Sequence, residues 1–183
     1  MLPKNIPLSK EKPKIICYRY RNSPFCGCTI PCQLALKEVK INPITDSIYV
    51  GPIQAAYKWE ELIELGVTHI IDASNEKYDH NEESFKYLKL CIDDDNEEKI
   101  CFFFEKTNKF IQEALSKNGK VLVHCYAGRS RSPTIIAAFL IHHFKYSFSE
   151  AIKLLESKIK NLVINDGFKL QLKDYSYENS ILK

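Results

Sequence analysis

The sequence lacks an apolar stretch long enough to span a membrane. Its longest such run, IIAAFLI at residues 135–141, is far shorter than the roughly 20 residues that a spanning helix needs. The opening MLPKNIPLSKEKPK also lacks the apolar core of a secretory signal. The 183 residues suffice for one well-buried core and are too few for two ordinary domains. We therefore expect a globular protein of the cytoplasm and/or nucleus, with no membrane span.

The seven cysteines lack the paired Cys-x2-Cys spacing of zinc ribbons. An odd number of cysteines suits a reducing compartment, where thiols need no pairing scheme. Four of them crowd the first forty residues: Cys17, Cys26, Cys28 and Cys32. These four thiolates are candidate zinc ligands, and a packed or dimer-forming arm is the alternative that we favour.

The first forty residues differ from the rest of the chain in charge and in proline content. Residues 1–40 carry eight Lys and Arg against two Asp and Glu, a net +6, whereas residues 41–183 carry 18 against 21, a net −3. Five of the eight prolines fall in residues 1–40 and argue against long regular elements there. We predict a basic extension at residues 1–40, offering a docking or dimer contact, and a regular domain at residues 41–183. A basic arm is more often merely soluble, so no nucleic-acid partner is expected.

From residue 41 onward, the apolar residues follow strand and helix periods in alternation. Four segments have the pattern of strands: SIYVG, VTHIIDAS, FKYLKLCI and KVLVHC. Five have the pattern of helices: IQAAYKWEELIELG, ICFFFEKTNKFIQEALSKNG, residues 131–144, SFSEAIKLLESK and NDGFKLQLKDYSY. The alternation predicts an α/β fold, with a central twisted mixed sheet of about four or five strands covered by helices on both faces.

The segment VLVHCYAGRSRSPT, residues 121–134, joins the last predicted strand to a helix through a loop of small residues. In such a turn, backbone N–H groups and the helix N-terminus converge to form an anion site. These groups stabilise a thiolate at Cys125, and the thiolate is the nucleophilic form of cysteine. The planar guanidinium of Arg131 can bond two oxygens of a phosphoryl group held over the sulfur.

Arginine is otherwise scarce in this part of the chain. Residues 41–183 contain sixteen lysines but only two arginines, Arg129 and Arg131, and both lie in this loop. The choice indicates a geometric need for guanidinium. The alternative, that Cys125 is only a small buried residue at a strand end, leaves the loop without a purpose.

The string His124-Cys125-(five residues)-Arg131 resembles the signature of cysteine-dependent phosphatases, and HCYAGRSRS is similar to the loop of the dual-specificity protein phosphatase family. Further similar segments follow in family order: IYVGPIQAA, LIELGVTHIIDAS, FFEKTNKFIQEAL, GKVLVHC and VINDGFKLQL. Together they cover roughly residues 42 to 175. The resemblance implies a sheet of the cysteine-phosphatase type and a catalytic domain at residues 41–183. It implies hydrolysis of phosphoserine, phosphothreonine and phosphotyrosine in proteins through a phosphocysteine intermediate, with no cofactor and no metal.

The resemblance also assigns roles to individual residues. Cys125 is the expected nucleophile, Arg131 the expected phosphate clamp, and Ser132 the residue that hydrogen-bonds the sulfur. The residues expected to hold the phosphate are Tyr126, Ala127, Gly128, Arg129, Ser130 and Arg131. His124 is expected to face the interior and organise the loop backbone, and Asn165 to brace the loop.

The leaving oxygen needs a proton, and three adjacent carboxylic acids are candidates to supply it: Asp93, Asp94 and Asp95. The chemistry of the sequence alone does not choose among them, and the run can also be read as a solvated loop. The resemblance points to Asp94 as general acid and, after the leaving group departs, as general base.

Three further positions leave alternatives open. Arg129 either favours doubly phosphorylated targets or points to solvent. Lys160 lies where many relatives have an arginine, which suggests a weaker second-phosphate contact. Cys91 either traps Cys125 as a disulfide on oxidation or, the interpretation that we favour, packs in the core.

The principal expectation is therefore an enzyme that acts on phosphorylated protein substrates. A phosphate-binding pseudophosphatase or scaffold is the first alternative, which the presence of Cys125, Arg131, Asp94 and Ser132 together disfavours. The same chemistry on RNA 5′-triphosphate or on a phosphoinositide is the second.

Overall fold

The computed structural model describes residues 39–78 and 80–181. The basic extension and its four cysteines, including the zinc and packed-arm hypotheses, fall outside these residues apart from Val39 and Lys40.

Five strands form one mixed sheet with the order β1-β2-β5-β3-β4. They are β1 (Asn42–Pro43), β2 (Ile48–Pro52), β3 (Val67–Asp72), β4 (Lys86–Lys89) and β5 (Lys120–Cys125). Strand β1 pairs antiparallel to β2, and every other pairing is parallel. The predicted mixed α/β sheet is confirmed.

Five α-helices follow in the described residues: α1 (Trp59–Glu64), α2 (Phe104–Ser116), α3 (Arg131–Phe144), α4 (Phe148–Lys158) and α5 (Asp166–Ile181). Two 3₁₀ helices, Ile53–Tyr57 and Ile100–Phe103, precede α1 and α2. The capping box predicted at the start of α4 is present, since Ser147 and Glu150 each bond the other's backbone N–H. None of the helices in the described part of the chain is long and apolar enough to cross a membrane.

The single helix predicted from IQAAYKWEELIELG is wrong, because the segment divides at Lys58, where ψ is 54°. The 3₁₀ helix before the break buries Ile53, Ala55 and Ala56. A β-carbon added to Gly51 would lie 2.5 Å from the β-carbon of Ala55, so this turn packs directly on the end of β2. A tight 3₁₀ turn allows that close approach, and the regular α-helix begins only afterwards.

Side chains of β5 alternate between two hydrophobic cores, one on each face of the sheet. Val121 and Val123 belong to the larger core, which is built with helices α2 to α5. Leu122 belongs to the smaller core, with Ala55 and Leu62. Helical segments therefore cover both faces, as the alternating sequence pattern predicted.

The parallel strands all end at one edge of the sheet. The register pairs Pro52 with Cys125 and Asp72 with His124. The carboxyl ends of β2, β3 and β5 therefore lie side by side, in the place where open α/β sheets form their binding crevices.

Candidate active site

Cys125 is the last residue of β5, and only 1% of its surface is exposed. Two donors reach its sulfur: the Gly128 N–H at 3.2 Å and the Ser132 hydroxyl at 3.2 Å. Hydrogen bonds of this kind favour negative charge on the acceptor. Such donors suit a thiol that acts as a nucleophile and as a leaving group, and the Ser132 hydroxyl makes the contact with the sulfur that the resemblance implies.

The loop after Cys125 is wedged against the end of β2. Gly128 has a φ of +70°, and a β-carbon there would lie 2.7 Å from the backbone carbon of Gly51 and 2.9 Å from the nitrogen of Pro52. The carbonyl of Tyr126 accepts a hydrogen bond of 3.2 Å from the Ile53 N–H. These contacts fix the path of the backbone whose N–H groups must converge on one point.

Arg131 is the first residue of α3, and its side chain is 11% exposed. Its Nη1 donates to the carbonyl of Ile92 at 3.0 Å, and its Nε lies 3.6 Å from Oδ2 of Asp94. The guanidinium is therefore held both by the backbone before the acidic run and by a carboxylate within that run. The acidic run and the start of α3, which are far apart in the sequence, are therefore in contact.

The three adjacent carboxylates point to different partners. Oδ1 of Asp94 accepts hydrogen bonds from the Ser130 hydroxyl at 2.6 Å and from Nδ2 of Asn165 at 2.9 Å. Asp93 accepts one from the amide of Asn75, and Asp95 from the Glu97 N–H at 2.8 Å. Of the three, Asp94 is the one whose carboxylate contacts the Cys125 loop, and its role as the acid stays a prediction.

Asn165 connects the acidic run to the start of α5. Its Oδ1 accepts the Phe168 N–H at 2.8 Å as a helix cap, and its Nδ2 donates to Asp94. Two residues later, a β-carbon on Gly167 would lie 2.1 Å from the carbonyl oxygen of Asn96, so the two backbones are in contact. The Asn165 side chain therefore holds the Asp94 carboxylate, and its backbone N–H lies 3.4 Å from the Ser130 hydroxyl in the loop.

His124 is fully buried, as expected, and its Nε2 lies 2.6 Å from the hydroxyl of Tyr78. Burial lowers the pKa of this imidazole to about 4, although the nearby carboxylate of Asp72 acts in the opposite direction. At neutral pH, His124 is therefore uncharged, which suits a structural residue behind the loop and excludes a role as a cationic proton donor.

The remaining predicted positions lie at the surface. The side chains of Tyr126, Arg129 and Lys160 are exposed, so the two cations are available to a bound ligand.

Cys91 is exposed as well, so the interpretation of Cys91 as a core residue is wrong. Strand β4 ends at Lys89 and the chain then alternates, with buried Leu90 and Ile92 on either side of an outward Cys91. A disulfide between Cys91 and Cys125 stays a prediction.

Sequence reasoning missed three polar residues behind the loop: Asp72, Tyr78 and Lys89. Asp72 is fully buried at the end of β3, and Nζ of Lys89 donates to its Oδ2 at 2.6 Å. An ionisable residue closing the apolar strand VTHIID is a signal that could have identified Asp72. Tyr78 and Lys89 lie in segments without such a signal.

Within residues 39–78 and 80–181, no three His, Cys, Asp or Glu side chains are grouped as metal ligands.

We expect Gly128→Ala to lower the free energy of unfolding by about 2 to 5 kcal/mol, because left-handed strain adds to overlap with the β2 backbone. Gly66→Ala is the matched control. Gly66 has a φ of +79°, but its β-carbon would come no closer than 3.9 Å to a neighbour. It should lose only the strain, about 1 to 2 kcal/mol. Urea unfolding measures the free energy of unfolding of both variants. Equal losses would show that Gly128 is not packed tightly against the backbone of β2.

Comparison with known proteins gives a consistent set of similarities. Residues 48–178 match the family described as dual specificity phosphatase, catalytic domain. The chain is 33% identical over 135 residues to tyrosine-protein phosphatase yvh1 of Schizosaccharomyces pombe, covering 74% of the chain and 41% of that protein. It is 32% identical over 161 residues to human dual specificity protein phosphatase 9, covering 85% of the chain and 42% of that protein.

Among solved structures, the human tyrosine phosphatase-like serine/threonine/tyrosine-interacting protein is similar, with a TM-score of 0.73 and 32% identity. The match covers 78% of this chain and 98% of that one. The chain thus spans less than half the length of the two curated relatives, but nearly the whole of the solved domain.

Proposed function

The chain belongs to the dual specificity phosphatase family, and from this premise we propose that it hydrolyses phosphotyrosine, phosphoserine and phosphothreonine in proteins. The observation that carries the proposal is the convergence of four side chains at the carboxyl edge of the sheet. Cys125, Ser132, Arg131 and Asp94 are joined there by the contacts described above.

In the first step of the proposed reaction, the sulfur of Cys125 attacks phosphorus and forms a phosphocysteine. The bond from phosphorus to the substrate oxygen breaks, and Asp94 gives its proton to that oxygen. The loop N–H groups and the guanidinium of Arg131 stabilise the charge that spreads over the phosphoryl oxygens. Asp94 is well placed for this step, because its carboxylate lies beside both the loop and Arg131.

In the second step, water displaces the sulfur. Asp94, now a carboxylate, takes a proton from the attacking water, and the thiolate of Cys125 is the leaving group. The hydroxyl of Ser132, 3.2 Å from the sulfur, stabilises the departing charge. Inorganic phosphate is released, and the enzyme returns to its starting state with Asp94 protonated.

The proposed substrate class is inferred from the cationic residues in and near the Cys125 loop. Phosphoinositide-preferring relatives typically carry lysines within the loop, whereas here Arg129 is the one cation besides Arg131 between Tyr126 and Ser132. Arg129 and Lys160 are both exposed, which suits a target with a second phosphate near the first. A protein substrate, singly or doubly phosphorylated, fits this distribution better than a multiply phosphorylated lipid headgroup.

A binding function without turnover is the competing proposal, and one similar protein is named as an interacting protein. The contacts of Cys125 with Gly128 and Ser132, and of Asp94 with Ser130, argue against it here. A protein that only binds phosphate has no need for a buried thiol with two donors or for a carboxylate next to the phosphate site, where its charge would oppose binding.

A turnover panel tests the proposal. Phosphotyrosine, phosphothreonine and doubly phosphorylated peptides are compared with an RNA 5′-triphosphate and a phosphoinositide. We expect kcat/KM to be at least about tenfold higher on the best phosphopeptide than on the RNA or the lipid. A preference for the RNA or the lipid would overturn the substrate class, and phosphopeptide binding without hydrolysis would favour the competing proposal.

A further inference from the structure

A cavity of about 650 Å³ lies where the end of α3 meets the start of α4 and the later turns of α5. Its volume is in the range of protein binding pockets. Because α3 has 14 residues and begins at Arg131, the cavity is about 20 Å from the Cys125 loop. The reaction proposed above uses none of its residues. We call it the helix groove, and the lining residues that matter below are Lys145, Tyr146, Phe148, Glu150, Lys173 and Tyr177.

The groove is an open channel with aromatic walls. The Phe148 N–H donates to the Ser176 hydroxyl at 3.0 Å, so α4 begins in contact with α5. Nζ of Lys173 lies 5.5 Å from the centre of the Phe148 ring. Tyr146 and Tyr177 are 37% and 69% exposed. Exposed aromatic side chains around a concave surface are typical of protein interfaces.

The groove carries more positive than negative charge. Lys145 and Lys173 are exposed, and neither forms an ion pair with any of the described residues. Glu150 is the one carboxylate among the described lining residues, and it is engaged by the capping box of α4. Asp174 and Glu178 of α5 do not line the groove, because each is rotated by about 100° from the lining residue before it. The groove is therefore complementary to a ligand with negative charge.

Lys145 has a backbone conformation that its residue type rarely adopts. It caps the end of α3 with a φ of 61°, in the left-handed region. Residues with a β-carbon are strained there, and glycine is the usual choice at such a helix end. The other left-handed residues in the described part of the chain are all glycine or asparagine: Gly66, Asn118, Gly128 and Asn161. The end of the helix therefore gives no reason for a lysine at this position.

We propose that the helix groove binds a short acidic segment of a partner protein, in which Asp or Glu side chains flank an aromatic or aliphatic residue. The carboxylates of the segment pair with the ammonium groups of Lys145 and Lys173. Its apolar residue packs against the rings of Tyr146, Phe148 and Tyr177. The first turn of α4 adds the positive end of a helix dipole to the same groove.

The distribution of charge favours this occupant over three others. Anionic membranes and nucleic acids bind surfaces that carry larger clusters of Lys and Arg, whereas this groove has two cations between apolar walls. The basic extension of the chain itself, residues 1–40, has a net charge of +6 and would be repelled by those cations. An acidic segment with an apolar residue matches both the charge and the walls.

The test selects ligands from a displayed library of random short peptides with the full-length protein, and then measures selected synthetic peptides by fluorescence anisotropy. We expect the selected peptides to combine Asp or Glu with an aromatic or aliphatic residue. Lys173→Glu should weaken their binding at least about tenfold, because it places like charges in contact. Peptides held instead by the basic extension or by the Cys125 loop would be insensitive to Lys173→Glu, and that result would overturn the proposal.

Three further probes in the same assay represent the other occupants: vesicles containing phosphatidylserine, a single-stranded RNA and a synthetic peptide of residues 1–38. Tighter binding of any of them than of the acidic peptides, with the same sensitivity to Lys173→Glu, would overturn the proposal. Lys106→Glu is the matched control, since Lys106 is exposed on α2 and does not line the groove. It should leave binding within about twofold of wild type. An equal loss would show that only net charge matters and would overturn the proposal.

Lys145→Gly separates a role in binding from a role in folding. Glycine removes the left-handed strain, so urea unfolding should have a higher midpoint, while the affinity for the acidic peptides should fall at least about threefold. A lower midpoint, or unchanged affinity, would overturn the role of Lys145. The proposal does not depend on turnover. If the wild type hydrolyses no phosphopeptide while the peptides bind as described, the proposed function fails and the groove stands.

Discussion

The Cys125→Ser variant should lose turnover of phosphopeptides by at least about four orders of magnitude and still bind them. Serine has nearly the size of cysteine, so the Gly128 N–H and the Ser132 hydroxyl can still donate to the side chain at position 125. The hydroxyl of serine stays protonated at neutral pH, however, and does not attack phosphorus. Initial rates with a phosphotyrosine peptide measure the loss, and isothermal titration calorimetry measures the binding.

The control for this variant is Cys91→Ser, which changes an exposed cysteine in the same chain. Its turnover should stay within about twofold of wild type, because surface substitutions away from a site have small effects. Turnover in Cys125→Ser that equals the wild-type rate would remove the nucleophile from the proposal altogether. Loss of binding together with turnover would instead show that the sulfur mainly shapes the phosphate site.

Much of the fold could be predicted from local sequence patterns. The strand KVLVHC and the helix at residues 131–144 are found where their patterns placed them, since the strand is buried on both faces and the helix is buried from Ser132 to Ile141. Strand β1 could not be predicted in this way. It has two residues, Asn42 and Pro43, and it exists because the chain turns back at Ile44, whose N–H bonds the Ile48 carbonyl.

The break at Lys58 shows why periodicity alone is insufficient. The apolar residues of IQAAYKWEELIELG fit one helical face, but a close contact between Gly51 and Ala55 requires a tighter first turn. That contact depends on how β2 ends, which is a tertiary property. The same limit applies to Cys91, whose side chain direction depends on the alternation just beyond β4.

Within the site, the residues that are contiguous in the chain were the predictable ones. The run from His124 to Ser132 contains its own turn, its own helix start and its own hydrogen-bond donors. Its chemistry can therefore be predicted from this segment alone. Asp72, Tyr78 and Lys89 come from three separate segments. They come together only because the parallel register aligns the ends of β3, β4 and β5. The sequence offers no spacing rule that joins them.

The three adjacent carboxylates are an intermediate case, in which the sequence supplies the candidates and the fold gives each one different hydrogen-bond partners. The side-chain amide of Asn165 orients Asp94, because its nitrogen donates to the carboxylate while its oxygen caps α5. The start of a helix and the orientation of a carboxylate are therefore fixed by the same side chain. Gly167, against the backbone of Asn96, keeps the two segments close enough for that bond.

The Asp94→Ala variant should lower kcat on a phosphoserine peptide by about two to three orders of magnitude, because an alkoxide leaves poorly without a proton. On an aryl phosphate with an electron-poor phenol, the loss should be much smaller, since that leaving group is stable as an anion. Steady-state kinetics on the two substrates measures the difference. A residue that only supported the fold would lower both rates equally, so equal losses would exclude Asp94 as the acid.

The neighbouring carboxylates provide matched controls, because Asp93→Ala and Asp95→Ala remove the same group one position away. Asp93 bonds Asn75 and Asp95 bonds the Glu97 N–H, so neither carboxylate is turned toward the loop. Both variants should keep kcat within about threefold of wild type on either substrate. A larger loss for Asp95→Ala than for Asp94→Ala would mean that the acid is the next residue along the chain. The hydrogen bonds from Ser130 and Asn165 would then position a carboxylate that supports the loop and gives no proton.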